Sequence, residues 1–153
     1  MRTLELKIPP AVVGLAVGAA MWAAARYGPV GNFALPANRL IAAVLASTGV
    51  VVAVLGVAAF RRARTTVNPL QPGNASSLVV SGIYRRTRNP MYLGMLLVLL
   101  GWAVLLANAL AFAIAAVFIP LMNRLQIRPE EKILAARFGT AFTDYQSAVR
   151  RWI

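Results

Sequence analysis

Apolar and polar positions along this chain come in blocks, not in alternation. Four apolar runs, at about 10–26, 40–60, 91–107 and 109–124, carry charge only at their ends. The second has the ~20 residues that an α-helix needs to cross a bilayer, and the others are somewhat shorter. Between the third and fourth runs stand only Ala107, Asn108 and Ala109. So short a connection forces an antiparallel helical hairpin. Polar segments fill the remainder: a connector at 61–90 and a tail at 125–153. The pattern predicts one all-α integral-membrane domain over 1–153, with four transmembrane helices and C-terminal amphipathic helices on the cytoplasmic face.

Local signals refine these blocks. Met1 to Pro9 is a short polar lead with Arg2, Glu5 and Lys7. The first run then resembles a secretory signal in its basic lead and small-residue end, but Trp22 and Arg26 suit a retained span better. Gly14 and Gly18 form a GxxxG pair that would let another helix approach closely, without fixing an oligomeric state. Gly28 to Asn38 reads as an outer loop, and Leu78 to Val80 as part of the connector that dips back to line a site. Pro120 predicts a kink near the inner end of the fourth span. Pro129 predicts a fresh helix start, with Glu130 and Glu131 in its first turn where the dipole favours carboxylates. Ile133, Leu134 and Phe138, then Phe142, Tyr145 and Val149 after the break at Gly139, predict two amphipathic helices lying on the membrane. Trp152 is read as their closing anchor at the interface.

Composition narrows the chemistry. The chain is 59% hydrophobic and 13% charged, against about 25% charged in soluble domains. It has no cysteine and no histidine, which removes thiolate nucleophiles, histidine bases and the usual zinc sites, so no metal centre is expected. A formal charge of +12 points to an anionic membrane face and not to nucleic acid, given the hydropathy. The lead, the 61–88 segment and the tail from Arg124 hold two, six and six basic residues, leaving only Arg26 and Arg39 beside the outer loop. By the positive-inside rule both termini are cytoplasmic.

The stretch Ser81 to Gly94, SGIYRRTRNPMYLG, breaks the plain membrane-protein pattern. Pro90 biases Asn89 away from the helical region, so a helix begins at Pro90 or Met91, with Arg88 and Asn89 just outside its N-terminus. That mouth favours an anionic ligand. A topology-setting arginine cluster would explain the arginines but not Tyr84, Asn89, Pro90 and Tyr92. The hairpin places the start of the third span beside the end of the fourth. Arg88, Asn89 and Tyr92 should therefore lie near Arg124, Gln126, Glu130 and Glu131. The plain alternative for the two glutamates is that they balance nearby arginines at a helix start.

LVVSGIYRRTRNPMYLG, the hairpin, and PEEKIL…FGTAFTDY…VRRWI together resemble the isoprenylcysteine carboxyl methyltransferase family. They are similar also to the bacterial membrane methyltransferases grouped with phospholipid methyltransferases. The likeness covers roughly 60–153, and its most specific parts are Arg88-x-Pro90-x-Tyr92, the Glu130–Glu131 pair, and Phe138-Gly139 with Tyr145. It implies S-adenosyl-L-methionine as cofactor, held on the cytosolic side by Leu78, Val79, Tyr84, Asn89, Pro90, Met91, Tyr92 and Glu130. Glu131 would be a neighbour or alternate of Glu130, and a lipophilic small molecule or lipid the methyl acceptor. An arginine that faces the substrate in eukaryotic members is Gln126 here, so Arg124 or Arg128 would take its place. Arg88, Arg124, Arg128 and Glu131 are thus the candidate catalytic groups. Asn89 stands where the family commonly has histidine, and Phe142 where an aromatic hydroxyl is frequent. The alanine- and arginine-rich composition suggests a bacterial source, and with it an inner-membrane localisation. A four-span transporter is the competing class, but it would usually carry an ionisable group inside a span. A non-catalytic lipid-binding scaffold is a third, and it predicts dispensable Glu130 and Tyr92.

Overall fold

The computed structural model describes residues 5–28, 31–64, 72–74 and 76–153. Arg2 of the polar lead, and connector positions 65–71 and 75, lie outside the described residues. The architecture is all-helical, with no strand among the described residues: α1 (Pro10–Tyr27), α2 (Asn38–Arg62), α3 (Pro90–Leu106), α4 (Ala109–Met122), α5 (Arg128–Phe138) and α6 (Thr140–Ala148). α1, α2 and the run Ala109–Phe138 are long and apolar enough to cross a membrane, while α3 is apolar at 17 residues.

Proline sets two helix starts, Pro10 in α1 and Pro90 in α3, because a first-turn N–H has no intrahelical partner to lose. α2 ends on Arg61 and Arg62, cations suited to the negative end of the helix dipole. The α3–α4 hairpin turns on Ala107, in the left-handed region at φ 46°, and on Asn108. The Asn108 side chain is fully buried and caps α4 by accepting from the Ala111 N–H at 3.1 Å. Its amide donates to Asn32 Oδ1 at 2.7 Å. Ala109 N–H donates to the Gly31 carbonyl at 2.8 Å, so the loop after α1 is fastened to the hairpin tip.

Within the bundle, the tightest partner of α3 is α2 and not its hairpin mate. Gly49 and Gly94 face each other so closely that a Cβ on either would strike the other's carbonyl oxygen. Gly56 sits on Pro90 and Met91, and Gly101 on Ala42 and Ala46. Small residues let the two backbones meet along their length. α1 packs mainly on α4, and Val17, Met21, Leu99, Ala103, Ala111, Ala115, Phe118 and Met122 belong to one buried core. A second, smaller core of Val79, Tyr84, Phe142 and Tyr145 lies where the connector meets α5 and α6, against Phe60, Leu134 and Phe138.

The sequence predicts a break before α5, and the structure has none. Pro120 lies inside α4, and a wide π-turn at Asn123–Ile127 passes straight into α5 with helical backbone angles at both junctions. Pro129 is indeed in the first turn of α5, yet it continues a helix instead of opening one. The wide turn is held from the side. Leu6 N–H donates to the Leu125 carbonyl at 3.0 Å, and the buried Gln126 amide donates to the Ile8 carbonyl at 2.6 Å. An inserted residue accommodated as a π-turn keeps the helix running while changing the face that follows it.

Candidate functional site

The hairpin brings the start of α3 to the start of α5, as the chain order requires. Tyr92, in the first turn of α3, donates its hydroxyl proton to Glu130 Oε1 at 2.7 Å. Arg88 Nη2 donates to Glu131 Oε1 at 2.9 Å. Both expected clusters therefore share one end of the bundle, each linked to the other by a direct bond.

Arg88 is the organising cation of this end. Its Nη1 donates to the Gln146 and Val149 carbonyls at 2.7 and 2.8 Å, and its own N–H donates to the Arg150 carbonyl at 3.0 Å. It thus collects the carbonyls left open as α6 ends, which a planar guanidinium can fork across. Its Nε is buried and has no partner among the described residues. Glu131 is gripped a second time by Arg151, through Nε at 3.0 Å and Nη2 at 2.7 Å. The side chains of Arg88 and Glu131 are only 11% and 14% exposed, so this triad is largely shielded from water and salt.

Asn89 serves the same junction. Its amide donates to the Arg151 carbonyl at 2.9 Å, and Thr87 Oγ1 donates to that carbonyl at 3.3 Å while accepting from the Asn89 N–H at 3.1 Å. The C-terminal segment is thereby laced to the loop before α3. Trp152, expected as a membrane anchor, donates its indole N–H to Asn123 Oδ1 at 3.2 Å, on the wide turn.

The other predicted positions divide into four groups. Leu78, Val79 and Tyr84 all belong to the small core beneath α5 and α6. Tyr84 stacks edge-on against Phe60 at 5.4 Å between centroids, and its carbonyl accepts from Tyr145 Oη at 2.8 Å. Pro90 is fully buried and Met91 half-buried, both against Gly56. Arg124 and Arg128 are exposed on the wide turn and the start of α5. Gln126 is fully buried beside Ile8, with its Oε1 unpartnered.

Charge separates the two adjacent glutamates. Glu131 is neutralised by two arginines, whereas Glu130 forms no ion pair among the described residues. Glu130 lies in α5, which carries Arg128, Lys132 and Arg137 as well and stands beyond the apolar part of the helix. Burial raises its pKa, the Tyr92 hydrogen bond opposes that rise, and the neighbouring Glu131 charge adds to it, leaving it at about 7. Burial likewise lifts the Tyr84 hydroxyl far above its ordinary range, with Tyr145 and Glu130 adding to the effect. Tyr145 is raised mainly by burial. These phenols stay neutral donors near neutral pH. Glu130 is the group here whose charge can change there.

Sequence reasoning did not find Arg151, Thr87 or the Gln146 and Val149 carbonyls. Four acids among sixteen bases leave many arginines available to any carboxylate, so pairing is not readable from residue type. The VRRWI ending was the available signal for Arg151.

These features define a class: a helical membrane protein with an uncompensated, titratable carboxylate set beside a tyrosine and an arginine-braced tail at one end of a hairpin. Residues 37–141 match the phospholipid methyltransferase (PEMT) family. The chain belongs to that family, one of membrane methyltransferases acting on lipid-like substrates. It is also 43% identical over 63 residues to an uncharacterized protein of Haemophilus influenzae, covering 41% of this chain and all of that one. No solved structure matches it.

Proposed function

We propose that this chain is an integral-membrane, S-adenosylmethionine-dependent methyltransferase of the isoprenylcysteine carboxyl methyltransferase type, acting on a lipophilic acceptor. The carrying observation is the contrast between Glu130 and Glu131. One carboxylate is locked to arginines, and the other meets only a tyrosine hydroxyl. A half-buried carboxylate without a cation is matched to a ligand that brings an ammonium or sulfonium charge, or hydroxyls to donate. The Arg88 Nε, buried and unpartnered, is a donor suited to an anionic group on the same ligand. The donor set therefore fits the cofactor.

In this reading Glu130 receives an amine or hydroxyl of the cofactor, and Tyr92 orients the carboxylate. Leu78, Val79, Tyr84, Pro90 and Met91 supply apolar walls. Glu131 and Asn89 act as positioning residues that hold the tail over the site. Arg88 braces the tail through Nη1 and Nη2 while its Nε is offered to the cofactor's anionic group, and exposed Arg124 or Arg128 meets the acceptor's polar end. When bound, the cofactor supplies an already activated methyl group, so the protein's task is to align the acceptor and exclude water. An amine or thiol acceptor must lose a proton. Glu130, Glu131 or a tyrosine is what this end offers to take it. Four spans with both termini and the site on the cytoplasmic side of a bacterial inner membrane agree with the basic-residue bias.

The test is calorimetric titration of the detergent-purified protein with S-adenosylhomocysteine. Micromolar-range binding is expected for the wild type, weakened roughly tenfold or more in Glu130→Ala by loss of a charged hydrogen bond. Equal heats for the two proteins would remove Glu130 from the site, and no heat with either would remove the cofactor.

A further inference from the structure

Along α3, from Gly94 to Leu105, α1 and α2 leave a groove between them with α3 as its floor. Its volume is about 1190 Å³. α1 contributes Ala11, Gly14, Gly18 and Trp22, each three or four residues apart and so on one face, and α2 contributes a matching face from Arg39 to Val54. The α2 face spans the 16 residues from Arg39 to Val54, or about 22 Å from first to last, the reach of an extended long-chain acyl group. The walls are alkyl and glycine nearly throughout, and Val50 and Val54 are 55% and 59% exposed.

Among the described lining residues, charge appears at one end. Arg39, the sole charged one among them, stands in the first turn of α2 and is exposed. Trp22 and Trp102 line the groove near the same end, each toward the C-terminal half of its helix. Indoles with an exposed cation form the arrangement that membrane proteins present to lipid headgroups. At the opposite end the lining stops at Ala11, Val54 and Gly94, where Gly56 is seated on Pro90 and Met91. Neither Tyr92 nor Glu130 lines it. The groove is therefore separate from the carboxylate site, and its polar end points away from that site.

We propose that this groove binds an anionic phospholipid as a resident, non-substrate ligand, with an acyl chain between α1 and α2 and the headgroup phosphate on Arg39. A second copy of the chain, inserting its own small-residue helix, is the rival occupant. A helix would fill the apolar length equally well, but it gives no role to a single cation beside two indoles at one end.

The test adds phosphatidylglycerol or phosphatidylcholine to delipidated protein in detergent and follows the thermal midpoint and bound lipid by native mass spectrometry. The wild type should show a saturable rise in midpoint and retain phosphatidylglycerol at least threefold better than phosphatidylcholine. Arg39→Gln should lose that preference while still retaining lipid. Val50→Trp, which fills the groove from an exposed position, should abolish retention of both lipids. Val51→Trp, at a 56% exposed position that does not line the groove, should behave as wild type and controls for damage to the fold. No headgroup preference in the wild type, or an unchanged preference in Arg39→Gln, overturns the proposal. So does a dimer that Val50→Trp splits without any effect of lipid.

Discussion

The two sides of α3 are built from opposite materials. Toward α2 it presents glycine, and the contact is backbone against backbone with no side-chain hydrogen bond needed. Toward the tail its first turn and the loop before it present Arg88, Asn89 and Tyr92, and the contact is a lattice of directed polar bonds. The first kind of interface tolerates almost no added volume but has no preference in charge or pH. The second accepts small changes in shape and is sensitive to every proton and partner. Stability is concentrated in one and adjustability in the other, on opposite sides of the same helix.

The largest effect should come from breaking the close side. Gly94→Leu places a side chain into the Gly49 backbone and should cost about 3 kcal/mol, the upper end of ordinary overpacking. A collapse of the thermal midpoint in detergent checks it. A fully stable variant would mean that α2 can shift aside, and the contrast would fail.

Glu131→Ala strands Arg88 and Arg151 together, and should cost about 2–3 kcal/mol, less than a fully buried pair because Arg151 is partly exposed. Denaturation should release the C-terminal segment first, so hydrogen exchange at residues 146–152 should rise before that of α3.

Proton dependence sharpens the comparison on the polar side. With its pKa raised from 4.5 to about 7, Glu130 favours the folded state most when protonated. Its contribution is complete below 4.5 and is lost as pH rises through about 7. Cofactor affinity should move the other way, increasing about tenfold from about pH 6 to pH 8 as the carboxylate ionises. Glu130→Gln should flatten both profiles. A wild-type profile with no inflection near 7 would separate Glu130 from ligand binding.

Smallest is Asn89→Ala, which removes a hydrogen bond to the Arg151 carbonyl and should cost about 1 kcal/mol. Its cofactor affinity should remain within about twofold of wild type, since the amide is used for the tail. A tenfold loss would return Asn89 to the ligand.

The helices were legible because apolar run length and proline position act locally. Pro10 and Pro90 start helices where the sequence reading puts them, and Asn108 turns the hairpin. The pairing of 88–92 with 130–131 was legible for the same reason, since a two-residue turn leaves the ends of two spans nowhere else to go. Two things were not. The wide turn at Asn123–Ile127 depends on support from Leu6 and Ile8, more than a hundred residues away in sequence, and no local signal marks it. The roles of Asn89 and Trp152 depend on where the tail returns, which hydrophobic spacing does not encode.

Because the wide turn carries α4 into α5 without a joint, Ala109 through Phe138 form one rod of 30 residues, about 45 Å long. Glu130 stands about 32 Å along it from the hairpin tip, close to the ~30 Å depth of a hydrocarbon core. The rod is in effect a dipstick. A thicker or thinner bilayer tilts it, and tilting raises or lowers Glu130, which forms no ion pair among the described residues, relative to the water line. The thickness of the surrounding lipid is therefore coupled mechanically to the surroundings, and so to the ionisation, of Glu130.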